Sequence, residues 1–125
     1  MKMKIQTSRT LVLLLAGALL LAACGTSYDT NFPMPDSVSN FDGAGGDSPI
    51  NYQTELSLDE VLAFYRTKFE DQGLTELELL TSITDDVISL AFDGHSSGQA
   101  VVLQAVDLGN GMTNVNIRLE DISAW

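Results

Sequence analysis

The 125-residue chain carries 17 acidic residues against six basic ones, with one histidine and one cysteine. All 17 carboxylates follow Cys24, where only Arg66, Lys68 and Arg118 are basic, so that stretch carries −14. Such a balance repels phosphate backbones and anionic headgroups and excludes nucleic acid as a partner, while a lone cysteine excludes an intramolecular disulfide.

The chain opens on Lys2, Lys4 and Arg9 without an acidic residue, followed by an unbroken apolar and small run from Leu11 to Ala23. That run of about 13 residues is short of the roughly 20 that a bilayer span needs and matches the apolar region of a secretory signal. Leu21-Ala22-Ala23-Cys24 closes it. The four residues resemble the lipobox of bacterial lipoproteins. The resemblance implies cleavage between Ala23 and Cys24, a diacylglycerol thioether on Cys24, and a palmitate-type acyl chain on the new amino group. Leu21, in the outer of the two positions where an ordinary signal peptidase wants small residues, disfavours that enzyme.

Gly25 to Asp36 has no helical or strand period and contains Pro33 and Pro35, so it reads as a flexible tether on which Phe32 and Met34 could dock back. Ser37–Phe41 is expected to be a first strand with Val38 inward. The glycine-rich run Asp42–Pro49 lacks the Gly-Lys-Ser/Thr ending of a phosphate-binding loop and carries aspartates, so it reads as a hairpin turn. Ile50, Tyr52, Thr54 and Leu56 then alternate onto one strand face.

Ser57-Leu58-Asp59-Glu60 is a capping box, and Leu58, Val61, Leu62, Tyr65 and Phe69 form one apolar stripe at helical spacing. Gly73 suits a left-handed residue after the helix end, with Leu74 folding back on Phe69. A helix over residues 58–72 follows. Downstream, strands are expected over 75–80 with Glu76 and Glu78 facing water, over 87–93 with Ile88, Leu90 and Phe92 inward, over 100–108, and over 113–120 with Val115, Ile117 and Leu119 inward. Thr84-Asp85-Asp86, Gly94–Gly98 and Gly109-Asn110-Gly111 are turns. The fold class is α+β: a single amphipathic helix packed on a twisted antiparallel sheet of four to six strands. The domain reading is residues 1–23 as signal peptide, 24–36 as lipidated cysteine and tether, and 37–125 as the domain.

Pro33-Met34-Pro35-Asp36-Ser37, the strand ending in Leu56-Ser57, Phe64-Tyr65 and Gly73-Leu74 also resemble a class of small bacterial lipoproteins, in which tryptophan is usual where Leu74 stands. The resemblance implies the same α+β fold, with Phe64-Tyr65 packing and Gly73 capping. It implies no activity.

Gly94-His95-Ser96-Ser97-Gly98 fits the G-x-S-x-G pattern of a hydrolase nucleophile elbow. The elbow needs a helix after the serine and an acid and histidine downstream, whereas a strand pattern follows and His95 precedes Ser96. Asp85, Asp86, Asp93 and Asp107 could gather at strand ends, but Asp107–Gly111 lacks the spacing of a calcium loop, and zinc lacks a ligand set. Surface acidity is the simpler reading. Tyr52 and Tyr65 read as core, and the terminal Trp125 as a seam cover or a contact for a partner.

The sequence therefore predicts a membrane-anchored envelope lipoprotein, in the cell membrane or outer membrane, whose domain is a non-enzymatic binding or accessory module. No catalytic residue, cofactor, metal or small-molecule ligand is assigned; the membrane is met through the lipid on Cys24, and the partner class is an envelope protein. The alternatives are an envelope hydrolase using Ser96 and an assembly factor offering a sheet edge to a partner strand.

Overall fold

A computed structural model describes residues 27–124. The signal-peptide, Ala23, Cys24 and Trp125 readings lie outside those residues. Among the described residues, one α-helix packs on one seven-stranded antiparallel sheet. The strands are β1 (Ser39–Gly43), β2 (Ile50–Thr54), β3 (Thr75–Glu76), β4 (Ser82–Ile83), β5 (Val87–Asp93), β6 (Ala100–Asp107) and β7 (Thr113–Glu120), and the helix α1 is Leu58–Asp71. The sheet runs β1-β2-β7-β6-β5, and both β3 and β4 pair with the outer edge of β5.

The sheet is thus larger than the four to six strands expected, and the reason is local. The segment expected as one strand over 75–80 leaves the ladder after Glu76, makes a 3₁₀ turn at Glu78–Leu80, and returns to β5 as β4. Glu76 does not face water. Its carboxylate accepts from Arg66 Nε and Nη2 on α1 at 2.8 and 3.0 Å, and from the Thr81 hydroxyl at 2.7 Å. A side chain pulled under the helix and a hydroxyl beyond the turn bend the chain out of register.

The helix is bounded as its sequence requires. The Ser57 side chain accepts from the Glu60 amide at 3.2 Å while Glu60 accepts from the Ser57 amide at 3.0 Å. At the other end Leu74 N–H donates to the Phe69 carbonyl and Gly73 N–H to the Glu70 carbonyl, with Gly73 at φ +83°, a Schellman closure. The buried stripe is Val61, Tyr65 and Phe69, flanked by half-buried Leu58, Leu62 and Phe64. It meets the inward residues of β2, β5, β6 and β7, all at 3 % exposure or less up to Ile117. Phe69 stacks on Tyr65 and meets Phe92 of β5 with centroids 4.9 Å apart.

Of the segment read as a tether, Phe32 is buried in this core and Met34 packs at its margin. Asn31 N–H donates to the Gly46 carbonyl, and its side-chain amide donates to Asp47. These contacts bind the segment to the β1–β2 turn.

Truncating Phe69 removes both aromatic contacts and leaves a void, a change that costs about 3–5 kcal/mol in a packed core. We expect Phe69→Ala to unfold most of the protein at 37 °C, and His95→Ala in the β5–β6 turn to shift the urea midpoint little. Urea unfolding followed by circular dichroism, on residues 24–125 with Cys24→Ser, compares them; the reverse ranking would contradict the helix-on-sheet core.

Candidate functional site

The nucleophile motif falls on the β5–β6 hairpin turn, and β6 rather than a helix follows Ser96. His95 is engaged with Ser97 rather than Ser96. Its Nδ1 lies 2.7 Å from the Ser97 hydroxyl and accepts from the Ser97 amide at 3.1 Å, while Nε2 lies 3.8 Å from Asp47. The Ser97 hydroxyl in turn accepts from the Gln99 amide. The hydrogen bonds of His95 and Ser97 satisfy backbone groups within the turn. They give Ser96 no general base.

The aspartates divide between the two ends of the sheet. Asp93 ends β5 at one end; Asp85, Asp86 and Asp107 collect at the other, where Asp107 N–H donates to the Asp86 carbonyl and an Asp107 carboxylate oxygen caps Gly109. Among the described residues no three acidic, histidine or cysteine side chains stand in an arrangement that holds a metal ion. The glycine-rich run from Asp42 to Pro49 covers the end of β1 and the turn into β2, with Gly45 and Gly46 at positive φ.

The Arg66–Glu76 pair borders a shallow cleft with Phe92 and Leu74. The Arg66 hydrogen bonds hold the Glu76 carboxyl below its ordinary range and raise Arg66. Its bonds are all internal, to Arg66 and Thr81, so we assign it to fixing the 3₁₀ detour rather than to chemistry.

The larger concavity, about 680 Å³, lies at the opposite end of α1. Leu56, Leu58 and Ile83 are its apolar lining, and Glu55, Asp59, Glu60, Asp85 and Asp107 line it with carboxylates. Among the described residues no lysine, arginine or histidine lines it. Its geometry comes from the entry to the helix: the Thr113 hydroxyl donates to the Leu56 carbonyl at 2.7 Å and the Thr54 hydroxyl accepts from the Leu56 amide at 3.2 Å.

The large apolar side chains that the described residues leave exposed are Leu79, Leu80, Ile83, Val87, Val106 and Leu108, and of these Ile83 lines the groove. Leu77 N–H donates to the Ala91 carbonyl, and Ser82 and Ile83 pair with Ser89 and Ile88, so residues 77–83 run along the outer edge of β5. Val87 faces Val106 across β5 and β6 on the side away from the helix. Leu79, Leu80 and Ile83 thus follow the β5 edge, with Ile83 on the helix side opposite Ile88, while Val87 and Val106 lie on the other face at the same end of the sheet; Leu79 is fully exposed. Sequence reasoning missed this surface, although it left a signal. Val87 and Val106 are apolar at positions that strand alternation assigns to water.

No known protein-family model, curated protein or solved structure matches the chain.

The Glu76 pair makes a pH prediction. A carboxyl depressed in the folded state stabilises above the unfolded-state value, and that contribution is lost as pH falls through the folded value. Wild-type stability is expected to fall more steeply on acidification than that of Glu76→Gln, measured by urea midpoints between neutral pH and pH ~3. Parallel curves would show that the pair adds nothing.

Proposed function

We propose that this protein is a non-enzymatic binding or accessory module, held at an envelope membrane by lipid on Cys24 and meeting its partner through the corner formed by β4, β5 and β6. The observation that carries the binding half is that every exposed large apolar side chain of the described residues falls along the β5 edge and the adjoining end of β6, with Ile83 also lining the groove. Scattered surface leucines need no explanation, but a rimmed apolar patch on a monomer marks an interaction surface. The anchor half rests on Leu21-Ala22-Ala23-Cys24 and the basic and apolar flanks before it.

The strand-addition alternative has less support. β1 is irregular between Ser39 and Asp42, with Asn40 at φ +51°, and the opposite edge consists of two two-residue strands interrupted by a 3₁₀ turn. Bulges and short edge strands are devices that keep sheets from pairing edge to edge. Docking through side chains suits this surface better.

Two measurements test the halves separately. Metabolic labelling with a palmitate analogue is expected to mark the wild-type protein and not Cys24→Ala; equal labelling would overturn the anchor. A photo-crosslinking residue replacing Leu79 is expected to give a discrete adduct in native membranes, whereas one replacing Thr67 on the exposed helix face gives none. Indistinguishable patterns would overturn the corner as the binding surface.

A further inference from the structure

We infer that the corner receives a cationic amphipathic segment of a partner protein, one that presents basic and apolar side chains together; this rests on the corner being the binding surface. The first ground is charge. No lysine or arginine occurs between Lys68 and Arg118, the span that supplies every exposed apolar residue of the corner. The acidic residues directly beside them in the chain are Glu78, Asp85, Asp86 and Asp107, with Asp93 at the far end of β5. Two of the three cations of the described residues are engaged elsewhere: Arg66 with Glu76, and Arg118 with Glu120 and Gln104. Lys68 lies on α1 over the Phe64 ring. Glu78 shares the field of Arg66, whereas Asp85, Asp86 and Asp107 have no ion pair with a cation among the described residues, and burying the apolar residues beside them requires a partner that brings one.

This condition separates the occupants an apolar patch can have. An anionic bilayer would press its headgroups against Asp85, Asp86 and Asp107 and be repelled. A second copy joined through the same face would set those carboxylates opposite their own equivalents. A basic amphipathic segment meets both requirements.

The second ground is shape. The run from Leu77 beside Ala91 to Ile83 beside Ile88 covers four residues of β5, roughly 10 Å of strand, before the corner turns to Val87 and Val106. A few turns of helix, at about 1.5 Å per residue, match that reach. The 3₁₀ turn at Glu78–Leu80 breaks the line of backbone groups that an added strand would need, so the contact is between side chains.

The full-length protein in zwitterionic nanodiscs, with empty nanodiscs as baseline, would be titrated with helical peptides of about 18 residues, long enough for five turns. One contains leucine and lysine, one serine and lysine, and one leucine and glutamate. The leucine–lysine peptide is expected to bind saturably, more than tenfold tighter than either counterpart. Ile83→Ser with Val106→Ser should weaken it more than tenfold, while Glu70→Gln with Asp71→Asn, at the far end of α1, should leave it unchanged. Circular dichroism checks that the variants stay folded. Equal binding of the serine–lysine peptide, or no loss in the corner variant, would overturn the inference.

The remaining outcomes distinguish the partner from the surface. Tight binding of the leucine–glutamate peptide, association with phosphatidylglycerol vesicles, or self-association, each abolished by the corner variant, would overturn the cationic partner and leave the corner as a docking surface. If none of the probes responds to the corner variant, the corner itself fails.

Discussion

The hydroxyls of Tyr52 and Tyr65 meet 2.6 Å apart in the interior, one from β2 and one from α1, and both side chains are fully buried. Desolvation pushes the Tyr52 phenol up to about 12 and raises Tyr65 further, so both stay neutral under ordinary conditions. A buried polar atom without a partner is costly, whereas each of these supplies the other's partner. The helix can therefore settle in one rotational and axial position on the sheet. That position sets the groove at the helix entry, because Leu56 and Leu58 are held between Tyr52 and Tyr65 along the chain.

Legibility in the sequence followed the range of the interactions. The capping box at Ser57 and Glu60 and the closure at Gly73 and Leu74 are written within a few residues, and the structure shows both. The alternation of Ile50, Tyr52 and Thr54, and of Val115 and Ile117, likewise gave inward faces, while Leu119, expected inward, is only half-buried. The segment over 75–83 misled because Glu76 answers to Arg66, ten residues back on another element, and no local period records that bond. The corner went unread for a related reason. Leu79 is apolar and looks like a strand residue, but the detour that Glu76 helps to fix leaves it in solvent. Phe32 shows the opposite case, a residue in a proline-rich stretch that finds its place in the core.

Charge then works at two scales. Over the whole described domain the excess of carboxylates favours solubility and discourages self-association. Locally, Arg66 and Arg118 are drawn into pairs that organise the fold, on the helix and on the sheet face away from it. The proposed docking corner is left with Asp85, Asp86 and Asp107, none of them ion-paired with a cation of the described residues. The anchor proposed at Cys24 would keep that surface near the membrane without giving it a reason to enter the bilayer.

The tyrosine lock is open to a direct measurement, a double-mutant cycle of Tyr52→Phe and Tyr65→Phe by equilibrium urea unfolding. Each single change leaves one buried hydroxyl without its partner and is expected to cost about 1–3 kcal/mol, while the double change removes both groups and should be milder than the two losses added. Neutral single variants, or losses that simply add, would show that the pair does not fix the helix on the sheet.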